Sequence, residues 1–460
     1  MTGLSSELAD WAVNFSFEDA PLAVRTNTSL RLLDIVGVII ASNRLKNVDA
    51  ARNAIALSDA GGHGARALME AGETSLANAA FINGVASAIL EFDDTHIASN
   101  IHPTGVVSSA ALPVAQAGHV SGRRLLEALL VGSEICCRLG LVSPVRMHEV
   151  GFHPTSVYGV FGAAYAVALL QGLAPQQIAD AVGTAASLSA GSISAFEDGT
   201  DTKTMHVGFA AAAAIRATAL AASGISGPAK VFEGKFGWYR SHVQSVPEFR
   251  FAALTEGLGE RWEVMNIAPK LYPCAYTLIP FIEAALALRE QHHLTPDMIA
   301  EIRCHIMPRS FHTVCEPVEQ KRRPLTSWHG RISLQHTVAE ALVLGRFDKN
   351  AYAPSSLRDP VINGLADRVI HLPDELAGSD TSRSRAVISI TLADGRVVSH
   401  TVEDMLGTSR NPADMAVYVR KFRQNVEGVL SDTMAEDLAE QILQLEKSPD
   451  VDMIFAALRQ

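Results

Sequence analysis

Aromatic residues are scarce in this 460-residue chain: Phe, Trp and Tyr make up 6% of it, whereas apolar residues make up 48%. The core must therefore be built mainly from Ala, Val, Leu and Ile, which favours closely packed helices. Basic charge is also in deficit, because the formal net charge is −11 at pH 7. Since no general basic surface is available, we expect no nucleic-acid partner and no membrane partner.

Sequence motifs for bound cofactors are missing as well. No Gly-x-Gly-x-x-Gly follows a predicted strand, and no Gly-Lys-Ser/Thr phosphate loop, His-Glu-x-x-His or Cys-x-x-Cys motif occurs. A Gly-x-Ser-x-Gly nucleophile elbow is also absent. Asp93, Asp94 and His96 offer part of a metal site, but no recognised ligand motif accompanies them. We therefore expect no metal and no nucleotide cofactor.

The five cysteines and the N-terminus indicate the compartment. The number is odd, and the vicinal Cys136 and Cys137 lie in an apolar helical stretch where small buried thiols are expected. A reducing compartment is the simplest explanation. Glu7 and Asp10 interrupt the N-terminus before an apolar run of signal-peptide type develops. The small-residue stretches are too short to span a membrane or carry Arg216, so we expect a cytoplasmic protein.

Hydrophobic periodicity divides the chain into three sections. Helical spacing dominates from about residue 4 to 224, with clear periods at residues 30–40, 125–139, 162–173 and 209–220. Beyond residue 266 the pattern is mixed, and predicted strands fall at residues 299–306, 386–392 and 397–402, the last two joined by an Asp-Gly turn. Helical periods return at residues 422–430, 435–445 and 451–458.

These patterns predict a mainly α protein. We place a large all-helical domain at residues 1–266 and a smaller α+β domain at residues 267–408. C-terminal helices at residues 409–460 are expected to pack back on the helical domain, which both chain ends would then form.

Four short segments concentrate ionisable groups beside Gly, Pro or small residues: 91–104, 151–159, 198–208 and 269–274. Charge next to apolar helices is costly, and chains tolerate it where chemistry needs it. Each segment also has a structural explanation, since surface acids cap helices and a lone His is more often a satisfied structural residue. Spacing alone leaves open whether the four segments meet.

The sequences of these segments, and of a fifth near residue 81, resemble the motifs of one family over nearly the whole chain. The specific elements are Phe81-Ile-Asn-Gly84, Glu91-Phe-Asp-Asp-Thr95 with His102-Pro103, Gly151-Phe-His-Pro-Thr155, Thr202-Lys-Thr-Met-His206 and Lys270-Leu-Tyr-Pro-Cys274. In this order they resemble the MmgE/PrpD family, which includes 2-methylcitrate dehydratase, cis-aconitate decarboxylase and iminodisuccinate epimerase. The resemblance implies a helical domain made from both chain ends, an α+β lid, a homodimer and a cofactor-free site in the cleft between the domains.

The resemblance also implies site residues by position. The catalytic histidines and lysines would be His102, His153, Lys203 and Lys270. Residues that bind substrate or support the site would be Glu91, Asp93, Asp94, Thr95, His206, Tyr272, Arg331 and His336. His336 falls where the decarboxylase-like members have a Tyr. Ala275 falls where family members often have His or Cys, and Ile279 falls where they often have a second His.

These residues lead us to expect a cofactor-independent lyase, a dehydratase or a decarboxylase, that acts on a small di- or tricarboxylate. Lys203 and Lys270 would neutralise substrate carboxylates, and the two imidazoles would move protons, oriented by the carboxylates of Glu91 and Asp94. One alternative is an epimerase or isomerase of a dicarboxylate. Another is a non-catalytic carboxylate-binding homologue, because Ala275 and Ile279 remove imidazoles.

Overall fold

The structure is a computed structural model that describes residues 3–58, 62–244, 248–374 and 384–459. Helices dominate the N-terminal half, as the periodicity predicts. They are α1 (Leu4–Asn14), α2 (Leu22–Ser42), α3 (Lys46–Ser58), α4 (Leu76–Ala88), α5 (Pro103–Ala117), α6 (Gly122–Val142), α7 (Arg146–Glu149), α8 (Pro154–Leu170), α9 (Pro175–Ala185), α10 (Ala195–Asp198), α11 (Thr202–Ala222) and α12 (Trp238–His242).

The middle section combines helices with a small sheet. Its helices are α13 (Ile279–His292), α14 (Val318–Arg322), α15 (Ser327–Gly330), α16 (Leu334–Leu344), α17 (Pro354–Leu357) and α18 (Pro360–Ala366). The strands of the described residues are β1 (Thr95–His96), β2 (Ile267–Ala268), β3 (Ile299–Ile306), β4 (Val369–Pro373), β5 (Ala386–Leu392) and β6 (Val397–Val402). One sheet has the order β4-β3-β5-β6, and β1 pairs with β2 in a second sheet. The predicted β5–β6 hairpin is confirmed, and its Gly395 has a φ of +85°.

The C-terminal helices are α19 (Met415–Val426), α20 (Asp432–Leu443) and α21 (Val451–Phe455). The predicted helix over 422–430 is wrong in its bounds. The side chain of Asp414 accepts a hydrogen bond from the Val417 amide and starts α19 earlier, while Gly428 has a φ of +75° beyond its end. Helix α19 packs along α2, which lies near the N-terminus of the chain.

Two hydrophobic clusters divide the buried side chains. The first runs from Leu8 to Ile267 and resumes from Phe422 to Leu458, so both chain ends contribute to one helical core. The second contains Ile97 and then runs from Ala268 to Met405. We call the first the body and the second the lid. The predicted mainly α class with a smaller α+β part is confirmed.

Small residues let the body helices approach closely, as the scarcity of aromatics predicts. A Cβ on Gly84 of α4 would lie 2.5 Å from the Cα of Gly208 in α11. A Cβ on Gly132 of α6 would lie 2.6 Å from the carbonyl oxygen of Gly162 in α8. By length and composition α11 is apolar enough to cross a membrane, but here it packs against α4, α8 and α9 as a core helix.

A buried ion pair joins the C-terminal helix α19 to α2. The Lys421 ammonium lies 2.6 Å from Asp34 Oδ1, and each side chain is 3% exposed. The same ammonium donates a hydrogen bond of 2.9 Å to the carbonyl oxygen of Phe92 and lies 4.2 Å from the centre of the Phe92 ring. The C-terminal helix therefore holds the segment that follows Glu91.

We expect Lys421→Met to lower the free energy of unfolding by about 3–5 kcal/mol, because it leaves the buried Asp34 carboxylate without its cation. Urea unfolding curves measure the loss. Arg423→Met in the same helix is the control, because the Arg423–Glu436 pair is exposed and its loss should cost less than about 1 kcal/mol. Equal losses in the two variants would contradict this prediction.

Candidate active site

The short β1–β2 pairing positions the first two parts of the site. Thr95 faces Ala268 and His96 faces Ile267 in an antiparallel register. The pairing brings Lys270, two residues beyond β2, beside the turn that follows α4. In that turn Glu91 has a φ of +51°, a left-handed conformation that residues other than Gly adopt mainly where the surroundings impose it.

His102 and His153 occupy equivalent positions on two neighbouring helices. His102 is the N-cap of α5 and His153 the N-cap of α8, and a proline follows each at the first helical position. The two helices pack together, and the His102 amide donates a 3.0 Å hydrogen bond to Thr155 Oγ1 at the start of α8. The centres of the two imidazole rings are consequently 6.3 Å apart.

Hydrogen bonds determine the tautomer of His102. Its Nδ1 lies 2.7 Å from the Asp94 carbonyl oxygen and 3.0 Å from Thr95 Oγ1. A carbonyl oxygen only accepts, so Nδ1 carries the proton. Burial first, and then the charge of Lys270, lower the pKa of His102 to about 4. Near neutral pH the ring is therefore uncharged, and Nε2 holds a lone pair that can accept a proton.

Two lysines and two carboxylates form a buried cluster next to this imidazole. Lys203 pairs with Glu91, and Lys270 Nζ lies 3.4 Å from both Glu91 Oε2 and Asp93 Oδ1. Burial raises the pKa of Glu91, but the charges of Lys203 and Lys270 outweigh burial and hold it well below its usual range. For Lys270 burial lowers the pKa, and the charges of Asp93 and Glu91 reverse this and raise it. Lys270 therefore remains charged near neutral pH, and the formal charges of the two lysines and the two carboxylates cancel.

Glu91, Asp93 and His102 also place potential metal-ligating atoms within 4.8 Å of one another. The same carboxylates already bind the ammonium groups of Lys203 and Lys270. A divalent cation would have to displace at least one of these charges, and its affinity would suffer accordingly. The donor set fits the lysines better than a metal.

The four residues predicted to be catalytic line a single cavity of about 890 Å³. The body supplies one wall, formed by Glu91, His102, His153 and Lys203 together with Lys270 at the body–lid junction. The lid supplies further lining residues, which include Ala275, Tyr276, Arg309, His312, Lys321 and His329. The structure thus brings together side chains from four distant segments at the body–lid boundary.

The prediction that the carboxylates of Glu91 and Asp94 orient the imidazoles is wrong. The Glu91 carboxylate binds lysines and does not orient an imidazole. Asp94 orients His102, but through its backbone carbonyl, while its Oδ1 accepts a 3.3 Å hydrogen bond from the Thr104 amide. Burial raises the pKa of the Asp94 carboxyl to about 6. Thr95 contacts Nδ1 of His102 as a site residue would.

Profiles of the MmgE/PrpD N-terminal and C-terminal domains match residues 6–250 and 272–447 of this chain. The chain belongs to the MmgE/PrpD family. It is 26% identical to a cis-aconitate decarboxylase-like protein of Aspergillus oryzae, over 99% of this chain and 97% of that protein. It is 24% identical to cis-aconitate decarboxylase of Aspergillus terreus, over 99% and 96% of the two chains. Cis-aconitate decarboxylase of Mus musculus is 29% identical over 83% of this chain and 78% of that enzyme.

His206 extends the site of this MmgE/PrpD chain behind His153. The Nδ1 atoms of the two rings are 3.2 Å apart, so one of them donates a hydrogen bond that the other accepts. Burial, and then the charge of Lys203, lower the pKa of His206 to about 4, and burial also lowers that of His153 well below its usual value. Both rings are neutral near pH 7 and form a hydrogen-bonded dyad.

Of the eight predicted supporting residues, Glu91 lines the cavity and the other seven do not. Three of these seven, Arg331, Tyr272 and His336, have partners elsewhere. Arg331 donates a 2.7 Å hydrogen bond to the carbonyl oxygen of Pro273 and so supports the segment around Lys270. Tyr272 packs edge-on against Phe347. His336, at the family's Tyr position, is fully buried in the lid, with Nε2 3.3 Å from Glu340 Oε2. Its imidazole does not take the place of the missing phenol in the cavity.

Sequence reasoning missed the polar wall that the lid contributes. His312 and His329 lie there, together with Lys321 of α14, and His148 of the body faces the same cavity. None of them belongs to a motif that resembles the family's. The available signals were the basic run Lys321-Arg-Arg323 and a His two residues after a Ser, neither of which is specific.

The charge state of His102 can be measured directly. We expect ¹⁵N NMR of histidine-labelled protein to show a neutral ring protonated at Nδ1 down to about pH 4. In Lys270→Met the pKa of His102 should move upwards, because the charge of Lys270 contributes to its depression. A ring that titrates near its ordinary value in the wild-type protein would contradict the assignment.

Proposed function

We propose that the chain is a cofactor-independent lyase that removes CO2 or water from a small di- or tricarboxylate. The observation that carries the proposal is the convergence of His102, His153, Lys203 and Lys270 on one cavity. The names of the relatives, cis-aconitate decarboxylases, support the reaction class and the kind of substrate.

The lysines stabilise the charge that the reaction creates. Removal of a proton next to a carboxylate, or departure of CO2, leaves an electron pair that enters an enolate-like oxygen. The ammonium groups of Lys203 and Lys270 have three N–H donors each, so donors remain beside their pairs with Glu91 and Asp93. Preorganised donors in a site shielded from water lower the energy of such an anion.

The imidazoles move the protons. In a dehydration, His102 Nε2 takes the proton next to the carboxylate and His153 donates a proton to the departing hydroxide. In a decarboxylation, a protonated imidazole delivers a proton to the carbon that loses CO2. Burial keeps both rings neutral near pH 7, and the negative charge of a bound substrate raises their pKa values towards neutrality. His206 holds His153 and exchanges a proton with it.

Epimerisation is a second candidate, favoured by one observation. His102 and His153 face the same cavity as two neutral rings 6.3 Å apart, a separation that would allow one ring to remove a proton and the other to return one to the opposite face of a carbon. The chemistry begins in the same way as a dehydration and ends without loss of water or CO2.

A screen in deuterated buffer tests these alternatives. We would incubate the protein with citrate, 2-methylcitrate, aconitate, tartrate and aspartate-derived diacids and follow ¹H NMR spectra. A lyase gives a product with loss of CO2 or water, whereas an epimerase exchanges the α-hydrogen without net loss. Lys270→Met is the control. Thermal stabilisation by citrate with neither conversion nor exchange would contradict both the lyase and the epimerase proposal and indicate a carboxylate-binding protein.

We also propose a homodimer. On α11 the side chains of Phe209 and Leu220 are 53% and 43% exposed, and Phe209 stacks on Phe81 of α4. An exposed apolar face on α11 suits association with a second copy. Sedimentation velocity would return a monomer if this proposal is wrong.

A further inference from the structure

Charge along the cavity is balanced at the body end. Glu91 and Asp93 pair there with Lys203 and Lys270, so four formal charges cancel. This end supplies hydrogen-bond donors to a substrate, but it has no net positive charge with which to hold a polyanion. A second source of positive charge is therefore needed if the substrate carries two or three carboxylates.

The lid contains such a charge in Lys321 of α14. Its side chain lines the cavity and is buried, with 2% of the residue exposed. Its ammonium donates hydrogen bonds to the carbonyl oxygens of Thr313 and Ile332, at 2.7 and 2.9 Å. An ammonium has three donors, so one remains. Within the part of the chain that the structure describes, Lys321 forms no ion pair.

The neighbours of Lys321 do not compensate its charge. Burial raises the pKa of the Cys315 thiol to about 12, so the thiol is neutral. Burial, and then Lys321 itself, lower the pKa of His329 to about 4, so this ring is neutral too. Burial lowers the pKa of Lys321 to about 8, as expected for an ammonium that has lost water without gaining an anion.

Apart from Glu91, which pairs with Lys203 and Lys270, the acidic residues on the cavity wall are exposed: Glu149, Glu197 and Glu316. Glu149 binds Arg146 at 2.6 Å, with both side chains about half exposed. Glu316 is 51% exposed and lies 3.5 Å from His371. Among the described lysines of the cavity wall, Lys203 and Lys270 each pair with a carboxylate, whereas the buried Lys321 does not.

We propose that Lys321 binds a second carboxylate of the substrate, at a lid subsite separate from the reacting end of the cavity. The proposal rests on the proposed function and narrows its substrates to acids with at least two carboxylates. A buried cation without a counter-charge is unfavourable, and an anion that reaches it gains a charge-assisted hydrogen bond. The substrate would place its reacting carbon at the body imidazoles and its distal carboxylate on the lid.

Calorimetry with two unreactive acids tests the subsite. Tricarballylate carries three carboxylates and butyrate carries one. Loss of a charged hydrogen bond in Lys321→Met should weaken tricarballylate binding tenfold to a hundredfold and leave butyrate binding unchanged. With the substrate found in the deuterium screen, KM should rise more than kcat falls, because the distal carboxylate does not react.

Lys349→Met is a matched control for the loss of backbone contacts. Lys349 also donates to two carbonyl oxygens, those of Asn425 and Glu427 at 2.8 and 2.6 Å, but it does not line the cavity. Its variant should keep wild-type affinity for tricarballylate. If Lys321→Met fails to fold, crystals of the wild-type protein with tricarballylate should show a carboxylate oxygen on Lys321 Nζ.

The outcomes separate this proposal from the proposed function. Unchanged tricarballylate affinity in folded Lys321→Met, or a complex with carboxylates only at Lys203 and Lys270, overturns the lid subsite. Turnover of a diacid together with an unaltered KM in Lys321→Met would support the lyase proposal and contradict the lid subsite. Tricarballylate binding that depends on Lys321, with no turnover of any acid in the screen, would support the lid subsite and contradict the lyase proposal.

Discussion

Lys270→Met should lower kcat at least about a hundredfold, the scale for loss of one charge-stabilising group. Lys270 is 1% exposed and lines the cavity between Glu91, Asp93 and the His102 ring. Methionine keeps the length of the side chain and removes the charge that would stabilise an enolate-like oxygen. Steady-state rates with the acid found in the deuterium screen measure the effect.

The variant also leaves an excess buried negative charge, so folding needs its own control. Asp93→Asn combined with Lys270→Met restores the formal charge balance of the cluster. We expect this double variant to regain thermal stability and to remain at least about a hundredfold slow. Recovery of wild-type turnover in the double variant would show that Lys270 acts only through stability.

His102→Asn should lower kcat by about a hundredfold to ten-thousandfold, the usual contribution of a positioned acid or base. An Asn side-chain nitrogen can occupy the place of Nδ1 and donate to the Asp94 carbonyl oxygen. The substitution therefore preserves the hydrogen bond that positions the ring and removes the lone pair of Nε2. Single-turnover and steady-state rates with the same acid report the loss.

Thr95→Val is the matched control for His102. It removes the hydroxyl group 3.0 Å from Nδ1 and leaves the Asp94 carbonyl oxygen in place. Because the tautomer of His102 depends on that carbonyl, we expect Thr95→Val to reduce kcat less than about tenfold, the scale of one neutral hydrogen bond. A larger loss in Thr95→Val than in His102→Asn would argue against His102 as the proton-transfer group.

Local patterns predicted many of the elements, and the failures have local explanations. The β5–β6 hairpin was predictable because strict alternation is followed by a two-residue Asp-Gly signal. Strand β4 was missed because it is five residues long, and it owes its position to parallel pairing with β3, which is remote in sequence. The bounds of α19 were missed because the cap at Asp414 outweighs the apolar period that begins later.

The predictions for the candidate site were likewise partly right and partly wrong. Motif likeness led to His102, His153, Lys203 and Lys270, and these residues do line one cavity. The atoms through which they interact could not be predicted, because the Asp94 contact uses a backbone carbonyl and the proximity of Lys270 to Glu91 depends on the β1–β2 register. The lid wall, including Lys321, carries no recognisable motif.

The sequence by itself determined the class of the protein: a helical core of small residues, a smaller α+β part, and four short segments, beside Gly, Pro or small residues, in which ionisable groups are concentrated. Each of these follows from side-chain size, periodicity and turn chemistry, which act over a few residues. Only the tertiary structure decided which charges cancel and which remain. Glu91 and Asp93 neutralise two lysines while Lys321 keeps its charge, since electrostatic partners depend on distances between segments that the folded chain alone sets.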